Sequence, residues 1–177
     1  MLYPVPAVLV SCRDLKGNDN VLTIAWAGTI SSDPPMLSIS VRKERHSYPM
    51  IKESGQFVVN LATKELLTAT DYCGVKTGAK EDKFQAMKLT KGECEVVNAP
   101  LIMESPVNIE CRVRQILELG SHDMFIAEVV HMNVSDTYMD EKEKFDLHAA
   151  GLIAYSHGAY FDLGEKLGTF GFSVKKQ

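Results

Sequence analysis

Apolar and polar residues alternate along much of the chain, the pattern of strands with one buried face. In MLSISVRK, Leu37, Ile39 and Val41 point one way and Ser38, Ser40 and Arg42 the other. Similar stretches predict strands over 5–13, 21–30, 36–43, 56–62, 107–118, 124–135 and 151–156. GSHD, residues 120–123, sits between the two longest runs and reads as a hairpin turn. Three shorter stretches have helical character. RHSYPMIKES is expected to be broken at Pro49. TKELLTATDYCG has Thr63 as N-cap, Leu66 and Leu67 inward and Gly74 as a stop. KEDKFQAMK is the third. These elements predict one mostly β domain over residues 1–177, a β-barrel with short helices rather than a sandwich.

One strand departs from the pattern. In DNVLTIAWAGTISSDPP, Leu22, Ile24 and Trp26 recur with period two, but the other face holds only Thr23, Ala25 and Ala27. Such a face either packs closely against a neighbouring element or lets a flat ligand reach the backbone, with Gly28 extending that freedom. The Pro34-Pro35 pair then stops the strand.

Composition narrows the function. The net charge of −4 argues against nucleic acid or an anionic membrane as partner, and no apolar run reaches membrane-span length. The four cysteines fit neither CxxC nor zinc spacing, so reduced thiols in a cytoplasmic protein are expected. No metal site is expected, because the histidines lack ligand spacing. No paired carboxylates and no nucleophile elbow mark a hydrolase, so no side chain is assigned as catalytic.

In this acidic chain the cluster VRKERHSY stands out. Ser40, Arg42, Arg45, His46 and Ser47 offer the short hydroxyls and guanidinium forks that suit a phosphate monoester. A helix starting near Ser47 would add free N–H groups. The competing reading is a solvated charged turn. CGVKTGAKEDKF is not a nucleotide-binding loop, yet Thr77, Gly78 and Lys83 could add donors from it. His122 occupies the GSHD turn, where a histidine is commonly solvated.

NVLTIAWAGTISSDPPMLSISV, RHSY, CGVKTGAKEDKF and SHDMFIAEV together resemble the flavin-reductase-like family of FMN-binding split barrels, especially its flavoredoxin and ferric-reductase-like branch. The resemblance implies a six-stranded antiparallel Greek-key barrel, a homodimer, and FMN near the subunit interface. It implies that Asn20, Thr23, Ala25, Trp26, Ala27 and Gly28 flank the isoalloxazine. Ser40, Arg42, Arg45, His46 and Ser47 would surround the phosphate, and Thr77, Gly78 and Lys83 would close the pocket. His122 and Tyr155 would lie near the ring or come from the partner subunit, with Lys83 and His122 tuning the flavin. The expected activity is electron transfer from NAD(P)H or a redox-protein donor, through FMN, to a ferric chelate, a flavin or another redox protein. The alternatives are an electron-transfer flavoprotein without a small-molecule substrate and a non-redox module that binds a phosphate ligand.

Overall fold

A computed structural model describes residues 2–174. Its strands are β1 (Val5–Pro6), β2 (Val8–Arg13), β3 (Asp19–Ile24), β4 (Ala27–Ser32), β5 (Pro35–Val41), β6 (Gln56–Leu61), β7 (Lys91–Gly92), β8 (Leu101–Ile102), β9 (Val107–Glu118), β10 (Asp123–Val134), β11 (Ile153–Ser156) and β12 (Ala159–Asp162). The helices are α1 (Ser47–Ser54), α2 (Leu67–Val75) and α3 (Lys83–Ala86). Seven strands form the main antiparallel sheet in the order β3-β2-β6-β9-β10-β5-β4, which curls into a split barrel. A small sheet, β1-β11-β12, stands beside it, and β7 pairs with β8.

The expected barrel had six strands; the main sheet has seven because the run over 21–30 is two strands. β3 pairs with β2 at one edge and β4 with β5 at the other. Ala25 and Trp26 form the bend between them. There the alternation of Leu22, Ile24 and Trp26 fails. Leu22 and Ile24 enter the barrel core, while Trp26 turns outward and is 42% exposed. Residues 33–34 make a β4–β5 hairpin turn rather than a simple stop.

The barrel interior is filled by Val8, Val10, Ile39, Phe57 and Phe125 among others. A second apolar layer explains why β2 and β3 are buried on both faces. Leu9 and Val21 point out of the barrel and pack with Leu66, Ala69 and Cys73 of the α2 region and with Phe84 of α3.

Local sequence signals needed three corrections. Pro49 does not break α1, because it is the third residue of the helix, where the N–H has no intrahelical partner anyway. Gly74 does not stop α2 but lies inside it; a Cβ there would meet the Thr23 Cβ at 3.3 Å, so the glycine lets the helix sit close on β3. Leu66 is buried as expected, but Leu67 is 38% exposed. Thr63 accepts a hydrogen bond from the Leu66 N–H, one turn before the helix proper.

Buried polar side chains tie the loops to the sheet. Asn60 donates to the carbonyl of Leu9 and accepts from the Ile102 N–H and from Asn108. Glu110, fully buried on β9, accepts from the backbone N–H groups of Glu95, Val96 and Val97 and from Asn133. Desolvation pushes its pKa up, but these four donors outweigh it and hold the carboxyl below the ordinary range. A depressed folded-state pKa contributes stability above the unfolded-state value, about 4.3, that is lost as pH falls through the folded value. Glu110→Ala should therefore cost at least about 3 kcal/mol in chemical denaturation at pH 7. Glu110→Gln should flatten the loss of stability between about pH 5 and pH 3.

Candidate functional site

The bend at Ala25–Trp26 opens a cleft of about 510 Å³. Thr23 and Ala25 line it from the end of β3, Ser40 and Arg42 from the end of β5, and Gly74 and Val75 from α2. The bend is held by the Ser40 N–H, which donates to the Trp26 carbonyl at 2.9 Å. The Thr23 hydroxyl donates to the carbonyl of Thr70, which fastens β3 to α2. The packing reading of the small-sided strand therefore holds for Thr23, which lies under the helix, while Ala25 lines the cleft.

The cleft has two aromatic ends. At one, Trp26 lies against His122, with ring centroids 4.4 Å apart. His122 is carried by the β9–β10 turn, which the next residue anchors. Asp123 is fully buried, accepts from the Tyr48 hydroxyl at 2.5 Å and faces Lys43 at 3.5 Å. The Tyr48 bond, helped by Lys43, keeps the Asp123 carboxyl low. Partial burial, with Arg42 and Arg45 nearby, holds the His122 pKa down, so its neutral form is favoured. The other end is walled by Tyr3, Tyr155 and Tyr160 beside the small sheet.

A smaller pocket of about 220 Å³ adjoins the cleft, with Leu22 and Arg45 lining both. It lies at the N-terminal end of α1, where His46 and Ser47 line it together with Asn20, Lys76, Thr77, Gly78, Lys83 and the carboxylate of Glu44, which is paired with Arg42 at 3.0 Å. Asn20 donates to the Ser47 hydroxyl at 2.7 Å. Arg45 donates to the Gly74 carbonyl at 3.0 Å, so its guanidinium is fixed between the two spaces. Lys83 is only 3% exposed. Its ammonium donates to the carbonyls of Cys73 and Lys76 at 3.2 and 3.3 Å, and no ion pair among the described residues includes it. Burial, aided by Arg45, lowers its pKa.

The expected site residues thus fall into three groups. Thr23, Ala25, Trp26, Ser40, Arg42, His122 and Tyr155 line the cleft, Asn20, His46, Ser47, Thr77, Gly78 and Lys83 the second pocket, and Arg45 both. Ala27 and Gly28 lie in β4, outside both. The donor cluster of residues 40–47 is therefore divided, with Ser40 and Arg42 apart from His46 and Ser47. Lys83 lies with the latter, away from His122. Tyr3, Asp71, Val75 and Tyr160 line the cleft without having been singled out, and Gly74, expected only as a helix stop, lines it too. The hairpin spelling IAYSHGAYFD, with tyrosines on either side of its glycine, was the signal for Tyr160. Among the described residues, no group of three or more His, Cys, Asp or Glu side chains could hold a metal, and no helix is long and apolar enough to cross a membrane.

The chain belongs to the flavin reductase like family, whose domain model matches residues 1–164. The fold is similar to flavoredoxin of Desulfovibrio vulgaris (Miyazaki F), with a TM-score of 0.91 and 29% identity over 99% of this chain and 95% of that one. Flavoredoxin from Methanosarcina acetivorans gives 0.89 and 28% over the same shares. An uncharacterized protein of Archaeoglobus fulgidus is 36% identical over 84% of this chain and 85% of its own. The FMN reductase (NADH) RutF of Agrobacterium fabrum is 28% identical over 60% of this chain and 59% of its own.

Gly78 is the tightest point of the second pocket, because a Cβ there would overlap the Asn20 side chain. Gly78→Ala should push Asn20 off Ser47 and cost about 1–3 kcal/mol in chemical denaturation. In an Asn20→Ala background the same change should cost markedly less, since the overlap is gone; equal costs in both backgrounds would refute the contact.

Proposed function

We propose that the protein is an FMN-binding oxidoreductase that takes electrons from NAD(P)H, or from a redox-protein donor, and passes them to a ferric chelate, a flavin or another redox protein. The observation that carries this reading is Lys83, a buried cation with no carboxylate partner among the described residues. A buried charge is costly unless it is compensated. Its pocket also holds Arg45, Ser47 and the N-terminal end of α1, while the one carboxylate among its described lining residues, Glu44, is paired with Arg42, so a phosphate monoester suits the remaining charge and donors. The adjoining cleft is wide, floored by Thr23 and Ala25 and open beside Trp26, which suits a flat ring. Bound there, FMN would supply the electron chemistry. The chain's own residues would orient the ring, hold the phosphate and keep the His122 imidazole at the ring's end of the cleft. The FMN reductase (NADH) relative supports this reading. The likeness to two flavoredoxins favours a second, electron transfer without a small-molecule substrate. Anaerobic NADH and then NADPH separate the two: rapid bleaching of the bound flavin supports the reductase, and slow bleaching by both supports the second.

Partner and compartment follow the same reading. We infer a homodimer, because among the described residues β4 pairs only with β5 and leaves Ile30 exposed, and because Leu167, Phe170 and Phe172 of the tail are largely exposed. Four free cysteines, three of them buried, are consistent with the cytoplasm. Sedimentation of the flavin-loaded protein at micromolar concentration should give a dimer, and a stable monomer would overturn that inference.

The phosphate assignment is tested with FMN against riboflavin, which lacks the phosphate. Lys83→Met should raise the FMN dissociation constant by about 10- to 150-fold and leave riboflavin nearly unchanged, with circular dichroism as the folding control. Arg42→Ala, on the cleft side, should separate the two ligands less. The FMN-over-riboflavin preference should also fall as pH rises into the range where Lys83 loses its proton. That loss comes at lower pH than for an exposed lysine. Arg45, Glu81 and the Cys12 and Cys73 thiols are the ionisable groups around Lys83. Burial keeps both thiols protonated through that range, pushing Cys73 up to about 11 and Cys12 to about 12. Equal weakening of both flavins in Lys83→Met, or a colourless protein that takes up no FMN, would overturn the reading.

A further inference from the structure

We propose that the tyrosine end of the cleft is a second subsite, which holds a planar aromatic guest carrying a positive charge or none. The inference rests on the flavin reading for what occupies the rest of the cleft. Tyr155 and Tyr160 face each other across β11 and β12, with centroids 5.4 Å apart and planes at 62°. Tyr3 lies 6.3 Å from Tyr155 at 59°. Neither pair is a face-to-face stack, so the rings wall a corner rather than cover one another. The corner is fixed from behind, where Tyr155 and Tyr160 pack on Ala7, Ala62 and Ile153.

Charge gives the corner its selectivity. Asp71 is the one carboxylate among the described residues lining the cleft, and its Oδ1 accepts from the Tyr160 hydroxyl at 3.2 Å. Burial and Asp71 push the Tyr160 phenol up to about 12, so it remains a neutral donor near pH 8. The two guanidinium groups of the cleft, Arg42 and Arg45, act on His122 at the other end. His157 stands behind Tyr3, with ring centroids 4.7 Å apart. Tyrosine faces beside a carboxylate attract a cationic ring and repel an anionic one, and the faces alone accept a neutral ring. Among the described residues that line the cleft, the guanidinium groups are those of Arg42 and Arg45 and none carries an ammonium, so the tyrosine corner is less suited to a second anion.

A charge series of bicyclic rings tests this: 1-methylquinolinium, quinoline and quinoline-2-carboxylate. Each is titrated into full-length protein carrying ring-¹³C tyrosine, at low salt and near pH 8, where an ordinary histidine is neutral. The six tyrosines are assigned with Tyr→Phe variants. With FMN saturating, 1-methylquinolinium should shift Tyr3, Tyr155 and Tyr160 and leave Tyr138 unmoved. Its affinity should exceed that of quinoline-2-carboxylate by about 25-fold, roughly five-fold for each unit of charge. Asp71→Asn should erase most of that ratio while the ring shifts persist. Absence of shifts at the three tyrosines, displacement of the guest by FMN, or a ratio unchanged by Asp71→Asn would each overturn the subsite. FMN binding is followed separately by flavin fluorescence. If FMN does not bind, the flavin reading falls, and the shifts in the flavin-free protein still decide for or against the subsite.

Discussion

The two edges of the barrel sheet are joined by a two-residue bend, and the site follows from it. A continuous strand over residues 19–32 would have covered one edge and left nothing to line a cleft. With Ala25 and Trp26 out of the ladder, β3 and β4 take opposite edges. The backbone bond from Ser40 to Trp26 then sets the distance between them. A larger residue at position 25 would fill the cleft from the same bend, so the small side of the strand is a constraint of architecture as well as of packing.

Helix α2 connects the two spaces. Its buried side covers Val21 and Thr23, Asp71 and Gly74 line the cleft, and the carbonyls near its end hold Arg45 and Lys83. Gly74 makes this possible, because only a residue without Cβ brings the helix this close to Thr23 without displacing it. Shape in the cleft and charge in the smaller pocket are thus set by one element, and a shift of α2 would disturb both together.

Much of this was legible where a long periodic signal had a marked turn. The β9–β10 hairpin was expected over 107–118 and 124–135 and is found at Val107–Glu118 and Asp123–Val134. The rest depended on contacts between distant segments. Alternation alone carried Trp26 onto the core face, because no local feature distinguishes a bend between two strands from one continuous strand. Pro49 and Gly74 were read by average preference, but the position of one within its helix and the neighbour of the other decided their roles. Ser40, Arg42, His46 and Ser47 are close in sequence yet fall into two pockets, because the chain leaves β5 and turns into α1 between them. Tyr3, Asp71 and Tyr160 come from three remote segments, and the topology alone assembles them.

The hold of α2 on Lys83 has a consequence for the order of assembly. Two of the three ammonium N–H groups are taken by carbonyls at the C-terminal end of the helix, where the backbone dipole is negative. The helix thereby offsets part of the lysine's charge. The lysine's position is fixed by the protein's own carbonyls, so an anion entering the pocket would not need to order it. The aim of the ammonium is thus set as the chain folds, by α2 rather than by a bound molecule.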